Sequence, residues 1–175
     1  HAYDRGIRFF ETADMYGTHD YVGKAMKMVG RENVTLLTKV MVYDHQGWYK
    51  AEPFQKSIDR FRKELNTDYI DILLLHCLVN SNWRDEYKRD IDEFNEAKQK
   101  GIIGKVGLSC HDFGALEIAA KNDWADVLLA RINYDGAKMD GPPQDVMPVL
   151  KRAKESGKGV IGMKVFGCGE LTKVE

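Results

Sequence analysis

Short apolar runs alternate with amphipathic stretches along the whole chain. Ile7 to Glu11 is an apolar run of strand length, and Tyr21 to Val29 is amphipathic at helical spacing. Val34 to Val40 predicts a second strand, and a polar and aromatic loop, Tyr43 to Ala51, leads into a helix that starts near Pro53. The apolar positions of that helix, Phe54, Ile58, Phe61 and Leu65, recur at i, i+4, i+7 and i+11, the period of one buried stripe. Tyr69 to His76 is almost continuously apolar, as expected for a parallel strand covered on both faces. A long charged helix follows, with Tyr87, Ile91 and Phe94 inward.

Gly104 to Ser109 predicts a fourth strand, and Asp112 is placed to cap a helix through Leu116 and Ile118. Val127 to Tyr134 predicts a fifth strand. Pro142 and Pro143 mark a loop, a helix runs from about Gln144 to Ser156 and stops at Gly157, and Gly159 to Val165 is the sixth strand. Six strands separated by five helices are the signature of parallel βα units. A closed (β/α)8 barrel needs eight strands and about 250 residues, so the pattern predicts an α/β fold with about six βα units of such a barrel. No linker or composition change divides it, and residues 1–175 are expected to be a single domain.

Composition narrows the function. The chain is 175 residues long, 43% hydrophobic and 30% charged, which is enough to bury a core. Its 26 basic and 27 acidic residues are interspersed, leaving a net charge of -1 and no electrostatic footprint for nucleic acid or an anionic membrane. A small molecule is the expected partner; the oligomeric state is not legible. Cys77, Cys110 and Cys168 are odd in number, widely spaced and without a CxxC pair, which favours a reducing compartment and a cytoplasmic location. No stretch approaches the roughly twenty apolar residues of a membrane span. The chain opens on His1, which leaves room for a removed leader.

Ionisable residues stand where the predicted strands end. Gly6-Ile7-Arg8-Phe9-Phe10-Glu11-Thr12-Ala13-Asp14-Met15-Tyr16-Gly17 runs a strand into a carboxylate and then a tyrosine, and the next two strands finish on Lys39 and His76. Strand C-termini are where barrel enzymes keep their chemistry. A phenol with a pKa of about 10 is a poor acid at neutral pH, but a nearby ammonium stabilises its phenolate. Lys39 can supply that charge, Glu11 can hold Lys39, and His76 can donate to the same carbonyl oxygen as Tyr16. The quartet suggests carbonyl reduction, and no metal is required.

These motifs, with Leu37-Thr38-Lys39, Asp71-Ile72-Leu73-Leu74-Leu75-His76 and Gly104-Lys105-Val106-Gly107-Leu108-Ser109, resemble in order those of the aldo-keto reductase family. The resemblance covers nearly the whole chain. It implies a (β/α)8 TIM barrel that binds a nicotinamide cofactor, NADPH with NADH not excluded, and reduces an aldehyde or ketone. It also implies that Tyr16 is the general acid, Lys39 tunes it, Glu11 holds Lys39 and His76 orients the carbonyl. Ser109 stands where the family's serine meets the nicotinamide carboxamide, and Met163, Lys164 and Phe166 lie in the segment expected against the nicotinamide ring. Three positions depart from the family pattern: Glu11 replaces an aspartate, Cys110 an asparagine and Arg131 a glutamine, the last two at cofactor positions. The departures at Cys110 and Arg131 support an alternative, a nucleotide-binding sensor or regulatory barrel, and a non-functional fragment is the third possibility.

Other residues carry weaker signals. Cys77 beside His76 and Cys110 beside His111 pair a thiol with an imidazole, but adjacent strand residues point to opposite faces and no second pair has zinc spacing. Cys77 and Cys110 are expected to be buried and inert, and Cys168 to sit in an exposed loop. Trp48, in the Tyr43 to Tyr49 loop, and Trp83, in the Asn80 to Tyr87 stretch, either wall a substrate pocket or pack against helices. Asn133 and Tyr134 are expected to end the fifth strand near the same rim.

Overall fold

The computed structural model describes residues 1–44 and 49–172. Strand β1 (Phe9–Glu11) precedes helix α1 (His19–Val29), β2 (Thr35–Val40), α2 (Phe54–Leu65) and β3 (Ile70–Leu78). They are followed by a short helix α3 (Trp83–Glu86), α4 (Lys88–Gln99), β4 (Ile103–Cys110), α5 (Phe113–Lys121), β5 (Val127–Arg131), α6 (Pro143–Glu155) and β6 (Gly159–Met163). The sheet order is β1-β2-β3-β4-β5-β6, each strand beside its sequence neighbour, as right-handed βα crossovers produce. The chain falls into two compact units, His1–His76 with Tyr87–Val106, and Cys77–Glu86 with Gly107–Glu175.

In the first unit the core is the apolar run of each strand and the stripe of each helix. Leu36, Leu37, Val40, Leu73, Leu74 and Leu75 are fully buried, as are Ile58, Phe61 and Leu65 of α2, with Phe54 close behind. Phe54 meets Phe94 of α4 at 4.8 Å between ring centroids. Helix α2 ends at Asn66, which takes the left-handed conformation and returns its N–H to the last turn. Helix α1 approaches that end closely, with Gly23 against the last turn of α2.

In the second unit, Leu116, Ala115 and Ala119 of α5 and Val146, Val149 and Ala153 of α6 are buried, with α5 packed on β5, α6 on β6 and the two helices on each other. The Asp112 side chain accepts from the Ala115 N–H at 2.8 Å, the cap that the sequence predicts. Trp83 is fully buried and packs on Trp124, 6.2 Å between rings, so the pocket-wall role considered for it gives way to packing. Trp48 lies outside the described residues.

Several boundaries differ from expectation for local reasons. The Ile7 N–H bonds to the Ala2 carbonyl instead of the sheet, so β1 begins at Phe9 and leaves Ile7 exposed. The charged helix after β3 is two helices separated at Tyr87. Strand β5 stops at Arg131 because Asn133 turns the chain away: its side chain donates to Ala137 O at 2.8 Å and accepts from the Ala137 N–H at 3.1 Å. Tyr134 is therefore 83% exposed beyond the strand. Strand β6 stops at Met163 because Lys164 takes a left-handed φ of 58°.

A Cβ on Gly23 would lie 2.7 Å from the Glu64 carbonyl oxygen and 3.0 Å from that of Leu65. Gly23→Ala must therefore force α1 off α2, and urea unfolding is expected to show a loss of about 1–3 kcal/mol. An unchanged midpoint would show that the helices do not meet at this point.

Candidate active site

The register of the first three strands places three ionisable side chains on one face. Glu11 lies beside Leu37, and Lys39 beside Leu74. Since side chains two apart share a face, Lys39 shares the face of Leu37 and His76 that of Leu74. Glu11, Lys39 and His76 thus form a staircase that climbs two residues at each step, while Thr38 points to the opposite, helix-covered face. After β1 the chain makes a 3-10 turn, Asp14–Tyr16, closed by Gly17 in the left-handed region, and this turn delivers Tyr16 to the same place.

Lys39 is 1% exposed. Its ammonium is ion-paired with the Glu11 carboxylate, donates to the Thr12 carbonyl at 2.8 Å and stands 3.5 Å from the Tyr16 hydroxyl. The His76 ring meets the Tyr16 ring edge-on, 5.8 Å between centroids and 82° between planes. Lys39 and His76 are buried, whereas the Tyr16 phenol is half exposed and the Glu11 carboxylate is also open to solvent. All four sequence-predicted residues come together.

The six predicted cofactor residues belong to the second unit. Ser109 is fully buried, and its hydroxyl has no hydrogen-bond partner among the described residues. Lys164 and Phe166 follow β6 on exposed backbone, and Met163 is half buried. Cys110 is fully buried, and burial, reinforced by the charges of Asp140 and Asp112, pushes its thiol up so that it stays neutral. Arg131 is turned to Asp140, 3.1 Å away, whose side chain is 2% exposed. Cys168 is exposed as expected, while Cys77 is half buried, at a left-handed φ of 62°.

The structure adds residues that periodicity did not single out. Asp14 accepts from both Arg60 terminal nitrogens, at 2.7 and 2.9 Å, and from the Tyr49 hydroxyl at 2.5 Å. Burial pushes the Asp14 carboxyl up, but these hydrogen bonds outweigh it and hold the group below its ordinary value. Asp14 lies inside the opening motif, yet Arg60 sits on the polar face of α2, where a charge ordinarily reads as solvated.

A model of the Aldo/keto reductase family matches residues 1–175. The chain belongs to the aldo/keto reductase family. It is similar to L-galactose dehydrogenase of Arabidopsis thaliana, 30% identical over 180 residues that cover 98% of this chain and 55% of that protein. Versiconal hemiacetal acetate reductase of Aspergillus parasiticus is likewise 30% identical, over 99% of this chain and 57% of its own. The chain thus spans about half the length of the curated relatives it matches. Among solved structures, the holo form of an aldo-keto reductase from Bacillus halodurans superposes with a TM-score of 0.76 at 25% identity, covering 99% of this chain and 58% of that one. An aldo/keto reductase from Klebsiella pneumoniae, solved with NADP and acetate, superposes at 0.70 and 22% identity, over 97% of this chain and 57% of its own. The fold is the aldo-keto reductase (β/α)8 type, represented here by six parallel strands with their helices.

Burial pushes the Asp140 carboxyl up to about 6; Arg131 pulls it down only in part, and Asp112 adds repulsion. A folded value above the ordinary 3.8 means that the folded state holds the extra proton between those two pH values. Stability should therefore fall as pH rises from about 4 through 6, by on the order of 1–3 kcal/mol from this group. Urea unfolding at pH 4, 5, 6 and 7 should show that component in the wild type and lose it in Asp140→Asn; parallel pH profiles would refute it.

Proposed function

We propose that the protein is an oxidoreductase that uses NADPH, with NADH as the other candidate, to reduce an aldehyde or ketone. The observation that carries this proposal is the buried Lys39 ammonium, held by Glu11 and the Thr12 carbonyl and set 3.5 Å from a half-exposed phenol. A carbonyl oxygen that gains negative charge needs a proton and donors already aimed at it. Tyr16 gives its proton to that oxygen, and Lys39 stabilises the phenolate left behind. The Glu11 carboxylate keeps Lys39 charged and fixed, and His76, packed edge-on against Tyr16, orients the carbonyl beside the phenol.

What a reduced nicotinamide supplies when bound is the hydride for the carbonyl carbon. Of the chain's own residues, Ser109 fits that group best, since its buried hydroxyl is unpartnered among the described residues and matches a carboxamide. Exposed Lys164 and Phe166, with Met163, fit the ring-side role. Cys110 offers only a buried neutral thiol, and Arg131 turns one terminal nitrogen to Asp140 while its Nε has no hydrogen-bond partner among the described residues. The names of the two curated relatives, a dehydrogenase and a reductase, support nicotinamide-linked transfer in either direction.

A second reading, nucleotide binding with little or no turnover, draws on that Arg131 to Asp140 pairing. NADPH consumption by the full-length protein over a panel of aldehydes and ketones separates the two. Tyr16→Phe is expected to lower kcat by about 10²–10⁴ with nucleotide affinity unchanged. Binding without consumption would favour the regulatory role, and equal rates in the two proteins would remove Tyr16 as the acid.

A further inference from the structure

Behind the face that carries Glu11, Lys39 and His76, a second polar network lies between the strands and α1 and α2, and the chemistry proposed above does not use it. At its centre is Arg60, whose guanidinium grips Asp14 with two nitrogens, donates from Nε to Glu52 at 3.0 Å and reaches Glu64 at 3.3 Å. Glu64 in turn meets His19 Nδ1 at 2.8 Å, and His19 Nε2 meets the Thr38 hydroxyl at 2.8 Å. Burial lowers the His19 pKa, the Glu64 contact offsetting it only in part, so the ring is neutral. A neutral ring has one N–H, and the partners assign it: Nδ1 donates to the Glu64 carboxylate, and Nε2 accepts from Thr38.

The two ends of this chain of contacts are placed with purpose. Asp14 opens the 3-10 turn that ends on Tyr16, and Thr38 is the residue before Lys39 on β2. The network therefore ties the backbone that carries the phenol to the backbone that carries the ammonium. The turn is three residues long, its own bonds are Tyr16 N–H to Ala13 O and Gly17 N–H to Asp14 O, both 3.1 Å, and it runs from an Asp14 whose side chain is buried to a half-exposed Tyr16. A bidentate grip on a carboxylate 5% exposed, with the Tyr49 hydroxyl as a third donor, is the strongest restraint on it.

We propose that Arg60 is a positioning residue for this enzyme: by clamping Asp14 it holds the Asp14–Tyr16 turn, and with it the Tyr16 hydroxyl, at the distance from Lys39 that proton transfer requires. The inference rests on the function proposed above, and its test separates the two. In the full-length protein, Arg60→Met should leave the amides of β2 protected while those of Tyr16 and Gly17 exchange about tenfold faster or more. With NADPH and a carbonyl substrate, kcat should fall about tenfold or more while KM for both stays within about threefold, because geometry and not ground-state binding is lost. Arg60→Lys, which keeps one charged donor but not the fork, should fall between Arg60→Met and the wild type. If Arg60→Met does not fold, Asp14→Asn, which keeps the size and removes the charge, takes its place.

Unchanged exchange at Tyr16 and Gly17 overturns the clamp. Faster exchange with unchanged kcat overturns its role in the reaction. Should the wild type consume no NADPH with any carbonyl, the proposed function fails, and the exchange measurement alone still decides whether Arg60 holds the turn.

Discussion

Lys39 carries its charge where almost no solvent reaches it, and this buried ammonium is the constraint to which the rest of the first unit answers. A cation taken out of water costs several kcal/mol unless it is paired and its protons are satisfied. Here the Glu11 carboxylate and the Thr12 carbonyl, both at the end of β1, take two of them. That requirement fixes the register of β1 on β2: Glu11 lies level with Leu37, two residues short of Lys39. A slip by one residue would turn Glu11 to the other face and leave the ammonium without its counter-charge. Stability and the proposed chemistry therefore demand the same alignment, and the Tyr16 hydroxyl lies 3.5 Å from the ammonium that results.

The opposite face of β2 answers to a related constraint. Thr38 is fully buried and needs a partner for its hydroxyl, which it finds in His19. His19 leads to Glu64 and so to Arg60, whose charge is shared among Asp14, Glu52 and Glu64. A polar residue between two buried leucine-rich segments thus opens a path of contacts from the strand to the loop that carries the phenol. The two pairs mirror each other: at Lys39 the cation is buried and its acid partly exposed, whereas at Arg60 the cation is one-third exposed and the Asp14 acid is buried.

Alternation and period were enough to locate all six strands and the helices between them, because each buries a continuous run or stripe. Phe54, Ile58, Phe61 and Leu65 are inside as their spacing requires. What the period does not carry is the behaviour of single backbone atoms: an Ile7 amide taken by Ala2 shortens β1, and an asparagine that bonds its own loop ends β5. The quartet was legible because each member stands at a strand end or in the turn just after one. Arg60, Asp140 and Tyr49 were not, because a charged residue on a helix's polar face or in a loop looks solvated until its distant partner is known. For Trp83, an aromatic in a loop-like stretch, sequence left pocket wall and packing both open, and burial decides for packing.

The two units differ in how closely they follow the family's pattern, and the difference has a physical logic. At Glu11 the exchange for a longer acid keeps the charge, so the ion pair with Lys39 survives the extra methylene. At Arg131 an uncharged amide is replaced by a cation, which cannot stay unpaired where only a quarter of it is exposed; Asp140 supplies the pairing at the cost of a carboxyl that burial already disfavours. Each of these groups is tolerable only because of the other. Cys110 is fully buried and feels the charge of the same acid, and the Ser109 hydroxyl and Arg131 Nε are both without a hydrogen-bond partner among the described residues. The second unit thus pairs charge with charge in its interior and leaves polar atoms of Ser109 and Arg131 unsatisfied among the described residues.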